Sequence, residues 1–348
     1  MELELKEFIG ELTAAPGLPG YEHDVARIFC REMEALGART EIDAMANATA
    51  YLGAGSPRIM VTAHLDEIGL IVTEVLEDGA LRFSRMGGVD PRILPGSRVH
   101  VHARGGSLLG VVGAKPPHLL SAAERKKNPE MKDMYIDLGM SAGRVKELVE
   151  VGTLVTLDGP LTEMAGGRLA AKTMDDRACV AAMCLTAELL RDVNLKGEVC
   201  FVAAAQEEVG SRGAETATYR LAPDLAIAID VTHGTTPDCR PQEVFPLDRV
   251  VMSIGPNIHP AMHERMMETA RKNGIAVEEC VVGGVTSTDA EVTQISRTGV
   301  PTLLIELPLK YMHTTVETLS IDTLRETARL LACFLRDTLA DWGNIQWQ

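Results

Sequence analysis

The chain has 348 residues, 46% hydrophobic and 24% charged, which suits a soluble globular protein of about two domains with a substantial core. A formal net charge of −15 argues against nucleic acid as a partner, because phosphate binding needs clustered Lys and Arg. No uninterrupted apolar run approaches ~18 residues, and Met1-Glu2-Leu3-Glu4-Leu5-Lys6-Glu7 has neither a basic nor an apolar leader region, so no membrane association or export is expected.

Leu5, Phe8, Ile9 and Leu12 fall on one helical face before Pro16-Gly17-Leu18-Pro19-Gly20 breaks the chain. Val25, Ile28, Phe29, Met33 and Leu36 then repeat at helical spacing until Gly37. Ile59 to Ala63 reads as a buried strand ending at His64. From about Gly69 short β-rich runs (Leu70–Val72, Leu81–Phe83, Val99–His102, Leu109–Val112) alternate with Gly, Pro and Asp-Gly turns, predicting a small β-barrel-like unit with a charged, mobile segment from Ser121 to Lys132. After Gly166-Gly167 an α/β rhythm resumes: a helix over 177–190, strands over 199–204 and 225–229, a strand over 250–254, a helix over 260–272, a strand over 275–281, a helix after Thr288, a strand over 303–305 and a long amphipathic helix over 321–339. Alternating strands and helices imply an α/β sheet with helices on both faces. The β-rich unit interrupts that domain. Cys30, Cys179, Cys184, Cys200, Cys239, Cys280 and Cys333 are odd in number and form no C-x-x-C pair, so they read as reduced thiols of a cytoplasmic protein.

Five segments carry chemistry: His64-Leu65-Asp66, Asp175-Asp176, Glu207-Glu208, Asp230 and His313. Singly, each has a plainer reading. His64 would be a core histidine, Asp66 the start of a turn, Asp175-Asp176 an N-cap, and Glu207-Glu208 a solvated turn. Four of the five end or closely follow strand-like apolar runs, which is where an open α/β sheet presents ligands. Imidazoles mixed with carboxylates suit borderline metals. One of two adjacent glutamates can bind metal while its neighbour reaches a water. The pattern reads as a metal-dependent hydrolase. A glycanase fits less well, since it needs only a carboxyl pair flanking a sugar bond.

Ordered motifs then span nearly the whole chain: His64-Leu65-Asp66-Glu67-Ile68-Gly69, Gly87-Gly88-Val89-Asp90-Pro91-Arg92, Lys115-Pro116-Pro117-His118, Asp133-Met134-Tyr135-Ile136-Asp137-Leu138-Gly139, Lys172-Thr173-Met174-Asp175-Asp176-Arg177, Gln206-Glu207-Glu208-Val209-Gly210, Asp230-Val231-Thr232-His233, Ser287-Thr288-Asp289-Ala290 and Tyr311-Met312-His313-Thr314. In these the chain resembles the M42 family of metallo-aminopeptidases. The resemblance implies a mixed-sheet catalytic domain in two parts (1–66 and 164–348) with an inserted β-barrel-like dimerisation domain (67–163). It implies an aminopeptidase that releases N-terminal residues from short peptides. Two divalent ions (zinc or cobalt, with manganese as a further option) would be bridged by Asp175, with His64 and Asp230 completing one site and Glu208 and His313 the other. Asp175 is preferred over Asp176 because the family pattern tolerates Asn at the second position. Glu207 would be the general base and Asp66 would steer His64, with His233 close behind. Dimers would assemble into a tetrahedral dodecamer. Gly283-Gly284-Val285-Thr286-Ser287 and Val89 depart from the family pattern, so the preferred N-terminal residue does not carry over. Lys115 and His118 read equally as a turn, and His100, His102, His259 and His263 as surface or core.

Overall fold

The computed structural model describes residues 4–345 and residue 347. An eight-stranded mixed sheet runs in the order Arg39–Ile42, Ala48–Gly53, Glu198–Ala204, Arg58–His64, Leu225–His233, Thr302–Leu309, Val250–Ile254, Val277–Val281. The four strands from Glu198–Ala204 to Thr302–Leu309 are mutually parallel, and antiparallel pairings join the flanking strands to them. Parallel strands are covered on both faces, and these are. Along Glu198–Ala204 every residue is buried. Val199, Phe201 and Ala203 join one apolar cluster while Cys200, Val202 and Ala204 join another on the opposite face, the two-residue period of a strand. Helices Met174–Leu190 and Ile321–Asp341 pack against each other on the first face, and Arg212–Leu221 with Asp289–Gln294 covers the second. The α/β class, the mixed sheet and the two helical layers are as expected.

After His64 the chain enters a closed six-stranded antiparallel barrel. Its strands are Gly69–Val75, Leu81–Met86, Arg98–Ala103, Gly106–Gly113, Tyr135–Asp137 and Leu154–Leu157. The barrel has its own core, including Leu70, Leu81, Val99, Val101, Ile136 and Val155. Its short helix Ala142–Leu148 is not visible in the sequence pattern. Within the charged stretch from Ser121 to Lys132 the backbone makes a 3-10 turn at Glu124–Lys126 and begins another at Met131–Asp133. The chain returns through a hairpin (Thr162–Met164 and Arg168–Ala171) that pairs with Glu317–Ser320.

Further elements escape the sequence reading in the main sheet and its helical layers. Arg39–Ile42 and Ala48–Gly53 extend the sheet, and Arg212–Leu221 is a helix buried through Ala214, Ala217 and Leu221. Alanine carries too little hydrophobic contrast to mark such a helical stripe by pattern.

Arg177 locks the junction between barrel, N-terminal helix and sheet. Its side chain is fully buried in the helix Met174–Leu190. Nε donates to the Leu65 carbonyl at 2.9 Å, Nη1 to the carbonyls of Leu12 (2.6 Å) and Ala15, and Nη2 lies 3.3 Å from Glu67 Oε1. Glu67 also receives Lys172 Nζ at 2.6 Å and the Gly17 N–H at 3.0 Å. Only a planar guanidinium with five N–H groups can serve so many acceptors from one point. Arg177→Met is expected to lower the unfolding free energy by about 3–5 kcal/mol, since it takes one of two counter-charges from a buried carboxylate and strands several carbonyls. Guanidinium titration would register this as a fall in midpoint, and an unchanged midpoint would remove the lock from the account.

Candidate metal centre

The carboxyl ends of the four parallel strands meet at one edge of the sheet, and the candidate residues meet there. Register pairs Ala204 with His64, so the Glu207–Val209 turn following one strand lies beside the end of its neighbour. Asp230 is in register with Glu306 on the next strand pair. His313 follows the Thr302–Leu309 strand, and Asp175 opens the helix beneath. His64, Asp175, Glu207, Glu208, Asp230 and His313 all line one cavity of about 650 Å³.

Two imidazoles converge on one carboxylate. His64 Nε2 lies 3.1 Å from Asp175 Oδ1, and His313 Nε2 lies 3.4 Å from Oδ2 and 3.1 Å from Glu208 Oε1. The other ring nitrogen of each meets a backbone carbonyl, Asp66 O at 3.1 Å for His64 and Gly88 O at 3.2 Å for His313. A carbonyl only accepts, so Nδ1 carries the hydrogen in both rings and Nε2 is left facing the cavity as the atom that could ligate a metal. Donor atoms of His64, Asp175 and Asp230 lie within 4.8 Å of one another, as do those of Asp175, Glu208 and His313, so Asp175 belongs to both groups.

Asp176 does something else. Its Oδ2 accepts the His64 N–H at 3.1 Å, and it takes no part in the cavity lining. Asp66 lies beneath the site, fully buried. It is 3.5 Å from His64 Nδ1, but its two oxygens also accept the N–H groups of Glu207 (2.8 Å) and Glu208 (3.0 Å), so it holds the glutamate turn as well as the imidazole. Ser211 Oγ donates to Glu207 Oε1 at 3.2 Å. His233 reaches the cavity rim and is exposed, whereas His118 sits exposed in a 3-10 turn at Pro117–Leu119 and, like Lys115, lines none of this cavity. His100 and His102 contact Asp158 and Thr156 on the barrel.

Sequence reasoning missed Glu317. Buried to 2% exposure, it accepts the Asp175 N–H at 3.0 Å and the His313 N–H at 2.7 Å, clamping two donors that are distant in sequence. It also passed over Asp289, buried and bonded to Thr62 Oγ1 at 3.2 Å, although it stands inside a quoted motif. A carboxylate four residues after His313 was the available signal for Glu317. Backbone strain gathers here too: Thr173, Gln206, Ser211 and His313, none of them glycine, all have φ between 51° and 61°. Such conformations cost of order 1–3 kcal/mol each and persist where surrounding contacts over-determine them.

Electrostatics test whether the donors fit a cation. Burial pushes the Glu207 carboxyl up to about 8, with repulsion from Asp289, Glu208 and Asp66 opposing the pull of His64. Burial, then the neighbouring Asp176, holds Asp230 well above the usual carboxylate range. Burial works against charge on His313, yet Asp175 and Glu208 lift it to about 11. Asp175 alone is held below its ordinary range, because hydrogen bonds from His313 and His64 outweigh burial. The cluster thus has more buried negative charge than its own imidazoles neutralise. Divalent cations would supply the deficit, and nitrogen with carboxylate oxygen is a donor set that fits them.

A sequence model described as M42 glutamyl aminopeptidase matches residues 46–330. The chain belongs to the M42 peptidase family. A lysyl aminopeptidase of Pyrococcus furiosus is 32% identical over 95% of this chain and 96% of its own length. Among solved structures, an aminopeptidase from the archaeon Desulfurococcus kamchatkensis superposes with a TM-score of 0.90 at 31% identity, covering 98% of this chain and 97% of that one. The Pyrococcus horikoshii TET1 peptidase, whose structure is described as assembling into a tetrahedron or a large octahedral shell, gives 0.83 at 32% identity, covering 95% and 99%. The resemblance read from the motifs is borne out, and the M42 chain is a peptidase, hence a hydrolase. Divalent metal is implied by the family.

Gly88 shows how closely the barrel meets this centre. A Cβ there would stand 2.7 Å from the His313 ring. Gly88→Ala is therefore expected to displace the imidazole and lower metal affinity roughly 10- to 100-fold, the usual size of an effect from a group supporting a ligand. Equilibrium dialysis against the metal would detect it, and wild-type affinity in the variant would mean that the ring yields without consequence.

Proposed function

We propose that this M42 peptidase is a dinuclear metal-dependent aminopeptidase that releases N-terminal residues from short peptides. The observation that carries the reading is the convergence of His64 Nε2 and His313 Nε2 on the two oxygens of one buried carboxylate, Asp175. His64, Asp175 and Asp230 would hold one divalent ion, and Asp175, Glu208 and His313 the other, with zinc, cobalt or manganese as the candidates. When bound, such ions supply Lewis acidity, polarising the scissile carbonyl and making water easier to deprotonate.

The protein's own groups do the rest. Glu207 takes the proton of the attacking water and returns it to the leaving amine. Its free movement is limited by the Ser211 hydroxyl on Oε1, and its place is set by Asp66 through the backbone. Glu317 keeps Asp175 and His313 facing each other. The substrate's free α-amino group enters the carboxylate-rich end of the cavity, which restricts cleavage to the first residue.

Assembly is part of the reading. Leu109, Val111 and Tyr135 lie exposed on adjacent barrel strands, and apolar surface of that kind marks interfaces. We assign the inserted unit (67–163) to dimerisation and the dimers to a tetrahedral dodecamer, as the assembling Pyrococcus horikoshii relative suggests. Among the described residues no helix is long and apolar enough to cross a membrane. Buried free thiols at Cys30, Cys179, Cys184 and Cys200 suit the cytoplasm, where we place the enzyme.

Glu207→Gln keeps size but cannot accept a proton, so kcat should fall roughly 10²–10⁴-fold with metal content near wild type. Asp175→Ala should instead lose at least one ion by elemental analysis. If Glu207→Gln loses its metals and Asp175→Ala keeps them, the assigned roles are wrong. Sedimentation velocity addresses assembly. A species of several subunits is expected, shifted towards monomer in Val111→Asp, while a fully active wild-type monomer would end the assembly reading.

A further inference from the structure

The cavity does not stop at the metal donors. It continues to the Thr302–Leu309 strand, where Glu306 forms part of its wall. Asp230 and Glu306 are register partners in a parallel pair, so their side chains stand on the same face of the sheet, one strand spacing (~4.8 Å) apart. Glu306 is only 7% exposed, and Ser253 Oγ donates to its Oε2 at 2.6 Å. The Thr232 side chain is its other hydrogen-bond partner. A carboxylate can accept about four hydrogen bonds, so acceptor sites remain for a ligand. No lysine or arginine lines this cavity among the described residues. Apart from Glu207, the other carboxylate of the lining outside the donor groups is Glu291, whose Oε2 accepts the Ser287 N–H at 3.1 Å. Val292 and Met312 add apolar surface to the lining of the cavity. Burial leaves Glu306 costly to ionise, with its carboxyl raised to about 7, and an incoming cation would relieve that cost.

We propose that Glu306 determines specificity, selecting an N-terminal residue whose side chain is cationic, lysine or arginine. The inference rests on the aminopeptidase reading of the site. With the α-amino group at the carboxylate-rich end beside Asp230, the first side chain runs along the sheet edge towards Glu306. The four-carbon stem of lysine packs on Val292 and Met312, and its ammonium meets the carboxylate. A neutral aliphatic side chain fills the same space but leaves Glu306 buried without a counter-charge. An acidic one sets like charges together in a shielded cavity, which is worse.

The test compares lysyl and norleucyl p-nitroanilides, similar in length and differing in charge, on metal-loaded wild-type enzyme, Glu306→Gln and Glu306→Leu. Alanyl p-nitroanilide serves as a substrate too short to reach the wall. Wild type is expected to favour lysyl over norleucyl by roughly 10-fold or more in kcat/KM. Glu306→Gln should lose roughly 10- to 100-fold on lysyl while alanyl and norleucyl change little, and Glu306→Leu should reverse the preference. Calorimetric binding of lysinamide against norleucinamide gives the same comparison without turnover. Norleucyl equal to or better than lysyl in wild type overturns the proposal even if no variant folds, as does a Glu306→Gln that slows all three substrates equally. Cleavage of none of the three by metal-loaded enzyme would instead bring down the aminopeptidase reading itself, and the specificity with it.

Discussion

The site depends on the register of the parallel strands. His64 is opposite Ala204, and Asp230 opposite Glu306, so a turn, a histidine and two acids arrive at one sheet edge together. Slipping one strand by a single residue would turn each of its side chains to the opposite face. The apolar alternation of Val199, Phe201 and Ala203 against Cys200, Val202 and Ala204 prevents that slip, because each set is buried among a different layer of helices. Packing far from the cavity therefore decides where the donors stand.

What the sheet brings together, electrostatics pushes apart. Asp175, Asp176, Glu207, Glu208 and Asp230 are drawn into a buried region holding only two imidazoles among the candidate donors. Backbone N–H groups offset part of the charge on two further buried carboxylates: Asp66 takes those of Glu207 and Glu208, and Glu317 those of Asp175 and His313. The remainder is the physical reason the arrangement favours divalent cations. Left-handed backbone at Gln206 and His313 shows that local conformational preference yields to these contacts.

The barrel is more than an appendage in this arrangement. Its Gly88 carbonyl faces His313 Nδ1, and Glu67 at its entrance is pinned by Lys172 and Arg177 from the catalytic side. Movement of the barrel would thus reach one imidazole directly. The Arg177 fork, by joining Leu12, Leu65 and Glu67, opposes such movement at its base.

Much of this was legible in the chain alone. Alternating apolar runs determined the α/β class, turn-rich spacing after Gly69 the inserted β-unit, and the order of short motifs the family. These are local signals, since burial imposes a period and each motif is contiguous. The strands Arg39–Ile42 and Ala48–Gly53 and the helix Arg212–Leu221 were hidden because alanine-rich or polar segments show little period until neighbours cover them. Tertiary structure decided which oxygen meets which imidazole, that Glu317 accepts from both Asp175 and His313, and that Glu306 stands beside Asp230. Those outcomes come from strand order and backbone dihedrals, which arise from contacts between residues remote in sequence, so no single stretch of the chain encodes them.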